Sequence, residues 1–160
     1  MPSGAHEGWW RKSFLGLNKL GVRIVVDGKG QLLREALEAG VEWAKGNLAE
    51  VEETVSRKGE SRCLAAMRKI SKGETSLMVT LGSQGLTICH QGRPFRVPAP
   101  RIQVWDATGS GDVVTAALIY GIRKGWEIGK VAGFAVWAGS ENAARRNKVV
   151  TRLKRRGVFA

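Results

Sequence analysis

The chain has little with which to build a cross-linked or metal-held fold. Its two cysteines, Cys63 and Cys89, allow at most one disulfide and form no metal-ligand cluster. That excludes disulfide-dense secreted scaffolds and suits a reducing compartment. His90 has no partner pattern for catalysis or metal binding and reads as structural. No apolar run reaches the length of a membrane span, and Met1 to Phe14 lacks the apolar core of a signal peptide. A cytoplasmic location without a membrane partner is therefore expected. Acidic residues are also scarce, 14 against 26 basic ones, giving a formal charge of +12. Such a balance favours an anionic partner: a nucleotide, a sugar phosphate or nucleic acid. What is present is one domain's length, 160 residues, with 43% hydrophobic content, enough for a core and too much for a disordered chain.

The stretch around which the rest is organised is Asp106-Ala107-Thr108-Gly109-Ser110-Gly111-Asp112, followed by the apolar run Val113 to Tyr120. Glycine in a helix interior costs about 1 kcal/mol relative to alanine, so two glycines flanking a serine make a loop that delivers the backbone into a helix. The unpaired amides of a first helical turn, with the positive end of its dipole, favour an anion, and glycines let a phosphate approach closely. An aspartate beside such a site can take a proton from an attacking hydroxyl while the amides hold the phosphoryl charge. Asp112 can equally be a helix cap, and spacing alone does not choose.

In chain order, Trp9, Trp10, Phe14 and Leu15 suit one helix face, and Gly21 to Val26 reads as a buried strand ended by Asp27-Gly28-Lys29-Gly30. Leu33, Ala36 and Leu37 follow at helical spacing until Gly40. Val41 to Ala44 is a weak strand leading to Lys45-Gly46-Asn47-Leu48-Ala49-Glu50, where Asn47 and Glu50 have the spacing of a capping box, the reading that spacing favours. Ser61 to Ser71 is a helix that buries Cys63, Met67 and Ile70. Ser76 to Leu81 and Leu86 to Cys89 form a hairpin across Gly82 to Gly85. Phe95 to Val97 and Ile102 to Val104 read as short edge strands, since Pro94, Pro98 and Pro100 exclude a central position. After the Asp112 helix, Glu127 to Arg145 is a helix whose Ala132, Ala135, Ala138, Gly139 and Ala143 permit close packing. The basic run from Arg145 through Lys148 to Arg156 reads as a solvated helix face rather than a nucleic-acid surface, because no aromatic platform interleaves it. Strand alternates with helix, which argues for an α/β layered fold with a mostly parallel sheet and the Asp112 loop at its carboxyl edge.

The segment Asp106 to Ile119 closely resembles the C-terminal signature of the PfkB/ribokinase carbohydrate kinases, in which D-T-x-G-A-G-D opens a helix at the active site. Ala107 and Ser110 are small departures that remove neither an amide nor the base. The resemblance implies a ribokinase-like fold and ATP-dependent, Mg²⁺-dependent phosphoryl transfer to a sugar or sugar phosphate. Asp112 would be the general base, and the amides of Gly109, Ser110 and Gly111 the anion hole. Lys45-Gly46-Asn47 to Glu50 matches the family's K-P-N-x-x-E segment, with Gly46 replacing the proline. It implies that Asn47 lies near the phosphates and that Glu50 helps hold Mg²⁺, usually through water. Thr80, Gly82 and Gly85 match V-T-x-G-x-x-G, which borders the nucleotide, and Val136 falls about where a side chain approaches the adenine. Asp106 and Thr108 stand where some relatives have a monovalent-cation loop.

Val26-Asp27-Gly28-Lys29-Gly30-Gln31-Leu32-Leu33 is most similar to the 1-phosphofructokinase and tagatose-6-phosphate kinase branch. Family members are about twice this long. Residues 1–160 correspond to their C-terminal, nucleotide-binding and base-supplying part, without the N-terminal half and lid that read the sugar. Two further expectations follow: an open strand edge and apolar surface suited to self-association or to a missing N-terminal partner, and, as alternatives in function, a nucleotide-binding remnant without activity of its own or a basic nucleic-acid binder led by the tail.

Overall fold

The computed structural model describes residues 6–146; the tail beyond Arg146, with Lys148 and the expected basic helix face, lies outside them. Five strands form one sheet in the order β1 (Val25–Asp27), β2 (Trp43–Asn47), β3 (Ser76–Thr80), β4 (Leu86–His90) and β5 (Arg93–Val97). β1, β2 and β3 run parallel, while β4 and β5 turn back antiparallel. Parallel neighbours need crossovers. The first is helix α2 (Gly30–Glu38), and the second is α3 (Leu48–Val55) followed by α4 (Glu60–Ile70).

Both sheet faces are covered. Alternate residues of each strand point to opposite sides: Val26, Ala44, Leu77 and Val79 face α1 (Trp9–Lys19) to α4, whereas Trp43, Met78, Leu86 and Ile88 face α5 (Ser110–Arg123) and α6 (Ile128–Ala143). The central run Leu77-Met78-Val79 is therefore apolar without alternation and fully buried. The result is a three-layer α/β/α sandwich. Cys63 and Cys89 are buried free thiols, and burial pushes the Cys63 thiol up, so it behaves as a core residue and not as a nucleophile. His90 stacks on Trp43 and its Nδ1 lies 2.8 Å from Ser76 Oγ, in keeping with a structural role. No helix among the described residues is long and apolar enough to cross a membrane.

Three expected strands differ. The one expected over Val41 to Ala44 is displaced to Trp43–Asn47, because the ladder on β3 starts opposite Ser76 and runs on to Thr80. Of Gly21 to Val26, only Val25 and Val26 enter β1, because the ladder opposite begins at Trp43 and nothing pairs with Val22 or Arg23 along it. Arg23 instead closes a fork on Glu42, at 2.6 and 2.7 Å. Ile102 to Val104 forms no strand: it is an irregular segment, and the amides that follow it, Trp105 and Asp106, are drawn to the carbonyl of Ala143 at the end of α6. Pro94 sits in β5, an edge strand, where its missing donor costs no ladder bond inside the sheet. β1 is the other edge, and its outer side is unpaired among the described residues.

Helix α1 is capped by a residue from another helix. Gly8, its N-cap, offers no side chain, and the carboxylate of Glu35 on α2 accepts from the amides of Gly8 (2.8 Å) and Arg11 (2.9 Å) and from Gln31. Asn18 returns the favour, donating to the carbonyl of Ala39 at the end of α2 (2.9 Å). Burial pushes the Glu35 carboxyl up, but the amides of Arg11, Gly8 and Trp10 and the Gln31 side chain outweigh it and hold the group below the usual carboxylate value. A lowered folded value stabilises the fold above the unfolded value, and the contribution is lost as pH falls through the folded one. Glu35→Gln should cost about 1–2 kcal/mol at neutral pH. The gap in melting temperature between parent and variant should close on acidification below the ordinary value of about 4.5. A gap that persists at pH 3 would show that the carboxylate is not what holds α1.

Candidate active site

The loop from Asp106 crosses the carboxyl end of the sheet and enters α5. Asp106 Oδ1 accepts from the amide of Thr108 (2.8 Å), which turns the chain, and Gly109 takes the left-handed conformation, φ 74°, as the N-cap of α5. A side chain there would be strained, and glycine is not. No side chain caps this helix. The Ser110 amide turns back to the carbonyl of Ala107 (3.1 Å), and Val113 starts the helical ladder on Gly109. Among the described residues, nothing accepts from the amides of Gly109, Gly111 or Asp112. Three donors thus collect at the positive end of a helix of 14 residues. Asp112 lies in the first turn, exposed, with no capping bond; the N-cap is Gly109, so the capping alternative for Asp112 is not realised.

Helix α6 holds this loop in place. Asn142, almost wholly buried, donates to Ser110 Oγ (2.9 Å) and to the carbonyl of Thr108 (3.2 Å). Gly139 lets the two helices close: a Cβ there would stand 2.7 Å from Val114 Cγ2 and 3.4 Å from the Ser110 carbonyl. Sequence reasoning missed Asn142. Its signal was one polar residue on the small-residue stripe Ala135, Ala138, Gly139 and Asn142, a pattern that helical spacing carries to one face.

A cleft of about 540 Å³ runs from this loop to the β3–β4 turn. Of the residues singled out from the sequence, Asn47, Thr80, Gly82, Gly85, Ser110, Gly111 and Val136 line it. Gly109, Asp112 and Glu50 are not among its walls. The far wall is the segment through Ala99, Arg101, Ile102 and Val104, of which Ile102 to Val104 reads from sequence as a strand. Leu86, Val114, Val136 and Ala143 make much of the lining apolar, as a flat heterocycle requires.

Asn47 and Glu50 form the capping box of α3: Glu50 N donates to Asn47 Oδ1 (2.9 Å) and Asn47 N to Glu50 Oε2 (2.8 Å). The box still leaves Asn47 at the cleft. Gly46 is wedged between them and the rest: a Cβ would lie 3.1 Å from the Gly28 carbonyl and 3.1 Å from Val51 Cγ2. No group of three His, Cys, Asp or Glu that could hold a metal occurs among the described residues. A lone carboxylate beside an amide oxygen does fit Mg²⁺, which keeps much of its water and takes one or two carboxylates together with substrate phosphates.

The model of the family described as "pfkB family carbohydrate kinase" matches residues 7–151 of the chain. The bifunctional protein HldE of Pseudomonas aeruginosa is 30% identical over 118 residues, covering 71% of this chain and 24% of that protein. A 1-phosphofructokinase of Borreliella burgdorferi is 28% identical over 130 residues, covering 79% of this chain and 42% of that one. In fold, the chain matches phosphofructokinase-2 of Escherichia coli, a structure in complex with potassium, with a TM-score of 0.83 at 23% identity over 92% of this chain and 50% of the other. The chain thus spans between about a quarter and a half of the length of these relatives.

Proposed function

Because the chain belongs to the pfkB family of carbohydrate kinases, we propose that it carries the nucleotide-binding and proton-accepting part of an ATP-dependent sugar or sugar-phosphate kinase, of the hexose-phosphate type. The observation that carries this reading is the juxtaposition at the head of α5. The Gly109 and Gly111 amides, without acceptors among the described residues, stand in one helical turn with an exposed carboxylate, Asp112, beside a largely apolar cleft.

In this reading Val136 and Gly85 would border the adenine, and Thr80 and Asn47, which line the same cleft, would lie beside the phosphates. Asp112 takes the proton of the attacking hydroxyl as its oxygen bonds to the terminal phosphorus. The bond from that phosphorus to the bridging oxygen breaks, and ADP leaves with the electron pair. The loop amides hold the charge on the transferring group, and Ser110 joins them by releasing the Ala107 carbonyl. Glu50 and Asn47 would hold Mg²⁺, mainly through water, and the ion would neutralise phosphate charge. Asp106 and Thr108 are assigned to a monovalent-cation loop, an assignment that the potassium complex of phosphofructokinase-2 supports only by analogy of fold.

No residue of this chain is assigned to reading the sugar. The outer edge of β1 is where a further strand would add, from a second copy or from the kinase half that this chain does not span. A second reading, a nucleotide-binding unit without transfer of its own, is supported by the share of its relatives that the chain spans, 24% to 50%. The experiment is transfer of labelled phosphate from MgATP to a panel of hexoses and hexose phosphates, with calorimetric titration of MgATP alongside. Transfer is expected if association completes the site, and binding without transfer selects the second reading. No binding of MgATP overturns both.

A further inference from the structure

Among the described residues that line the cleft, Arg101 is the one ionisable side chain, and no aromatic ring stands on the walls. The guanidinium is exposed, and among the described residues no acceptor or ring engages it. Neighbouring arginines are engaged: Arg96 donates to Gln84 Oε1 (2.6 Å), and Arg146 lies 4.2 Å over the Trp105 ring. Arg101 stands on a strap pinned at both ends. At one end the Ala99 nitrogen lies 2.7 Å from where a Cβ on Gly85 would stand. At the other, the Trp105 and Asp106 amides donate to the Ala143 carbonyl (2.9 and 3.2 Å). Between these anchors, residues 100–104 make no backbone hydrogen bond among the described residues. Pro100 stiffens the span by fixing its own φ and keeping Ala99 out of the helical region.

The place of Arg101 along the cleft decides what it can touch. It follows Ala99 by two residues, no more than about 7 Å of chain, and so belongs to the Gly85 end, whereas Ala107, Ser110 and Gly111 wall the loop end. The loop end already has its anion donors in backbone amides. The Gly85 end is lined by Leu86, Val136 and other aliphatic groups, which exclude water but offer no π-face. A guanidinium is planar, delocalised and weakly hydrated, and it stacks on aromatic rings where an ammonium would hold its water. We propose that Arg101 is a nucleobase-binding residue of this cleft, its guanidinium lying flat on the purine of a bound nucleotide. A stiff strap presents the group at little entropic cost. The contact rewards stacking area and matches no donor or acceptor of the ring, so it favours purines over the smaller pyrimidines. The inference rests on the reading of the cleft as a nucleotide site.

The test is calorimetric titration of MgADP into the full chain, Arg101→Met and Arg101→Phe. Methionine removes both the charge and the plane, and phenylalanine removes the charge but keeps a flat face. Affinity should fall by about three- to tenfold in Arg101→Met. In Arg101→Phe it should stay no more than about twofold below the parent, because an aromatic ring also stacks on a base. The loss in Arg101→Met should persist at about 0.5 M salt, where an exposed ion pair to a phosphate is screened. Equal losses in the two variants, or a loss in Arg101→Met that vanishes at high salt, overturn the inference, since charge and not the plane then binds. Undiminished affinity in Arg101→Met overturns it as well, and in all three cases the nucleotide site stands. A parent that does not bind MgADP overturns the underlying reading, and the inference with it. The side chain is exposed and makes no bond within the fold, so both variants should melt with the parent.

Discussion

Replacing Asp112 by asparagine is expected to abolish phosphoryl transfer while leaving the nucleotide in place. The side chain is exposed, in the first turn of α5, and makes no capping bond whose loss would disturb the helix. Asparagine keeps its shape and removes its basicity. General-base catalysis contributes about 10²–10⁴-fold, and transfer in Asp112→Asn should fall by that factor. Affinity for MgATP should stay within about twofold, because the amides of Gly109 and Gly111 remain. Transfer to a hexose phosphate, or ATP hydrolysis where no acceptor is taken, reads the first quantity and calorimetry the second. Transfer that survives within about threefold of the parent would show that another group takes the proton.

The second large effect falls on stability and comes from Gly85. Its backbone, at φ 95° and ψ −135°, lies in a region that side chains essentially do not enter. A Cβ there would stand 2.0 Å from the Val97 carbonyl, 2.7 Å from the Ala99 nitrogen and 2.9 Å from the Pro98 carbonyl carbon. All three are main chain, so nothing flexible can yield. Gly85→Ala must therefore push β5 away from β4, at a cost of about 3–5 kcal/mol from strain and overpacking together. For a domain of this size that is a fall in melting temperature of about 10 °C. The same shift moves Ala99 and Pro100 at the cleft wall, so MgATP binding should weaken with it. Gly82→Ala is the control. Gly82 is also left-handed, φ 59°, but its Cβ would meet nothing within 4 Å, so only the conformational cost of about 1–2 kcal/mol remains. Equal losses in the two variants would refute the steric account.

Much of this is legible in the sequence. Asn47 and Glu50 are three apart, and a local rule makes them a capping box wherever a helix follows, as it does here. Leu33, Ala36 and Leu37 share a face by helical spacing alone, and all three are fully buried. Gly85 was marked through its motif, although the sequence could not say that Val97 and Ala99 are what a side chain would strike. Glu35, Asn142 and Lys45 were not legible. Each is a polar residue on an element whose apolar members explain it, and its partner is distant: Gly8 across 27 residues, Thr108 across 34 and Asp27 across 18.

The sequence by itself determined the alternation of strand and helix, the glycine loop ahead of α5, and the family. These depend on periodicity, on the conformational freedom of glycine and on short spacings, which act between neighbours along the chain. Only the tertiary structure decided that Ile102 to Val104 walls a cleft instead of pairing, that Glu35 caps a helix begun by Gly8, and that a lysine of β2 lies beneath the glycine loop of α5. Those outcomes depend on which surfaces meet when both faces of the sheet are covered, because a buried polar group must take whichever partner the packing brings within hydrogen-bond reach.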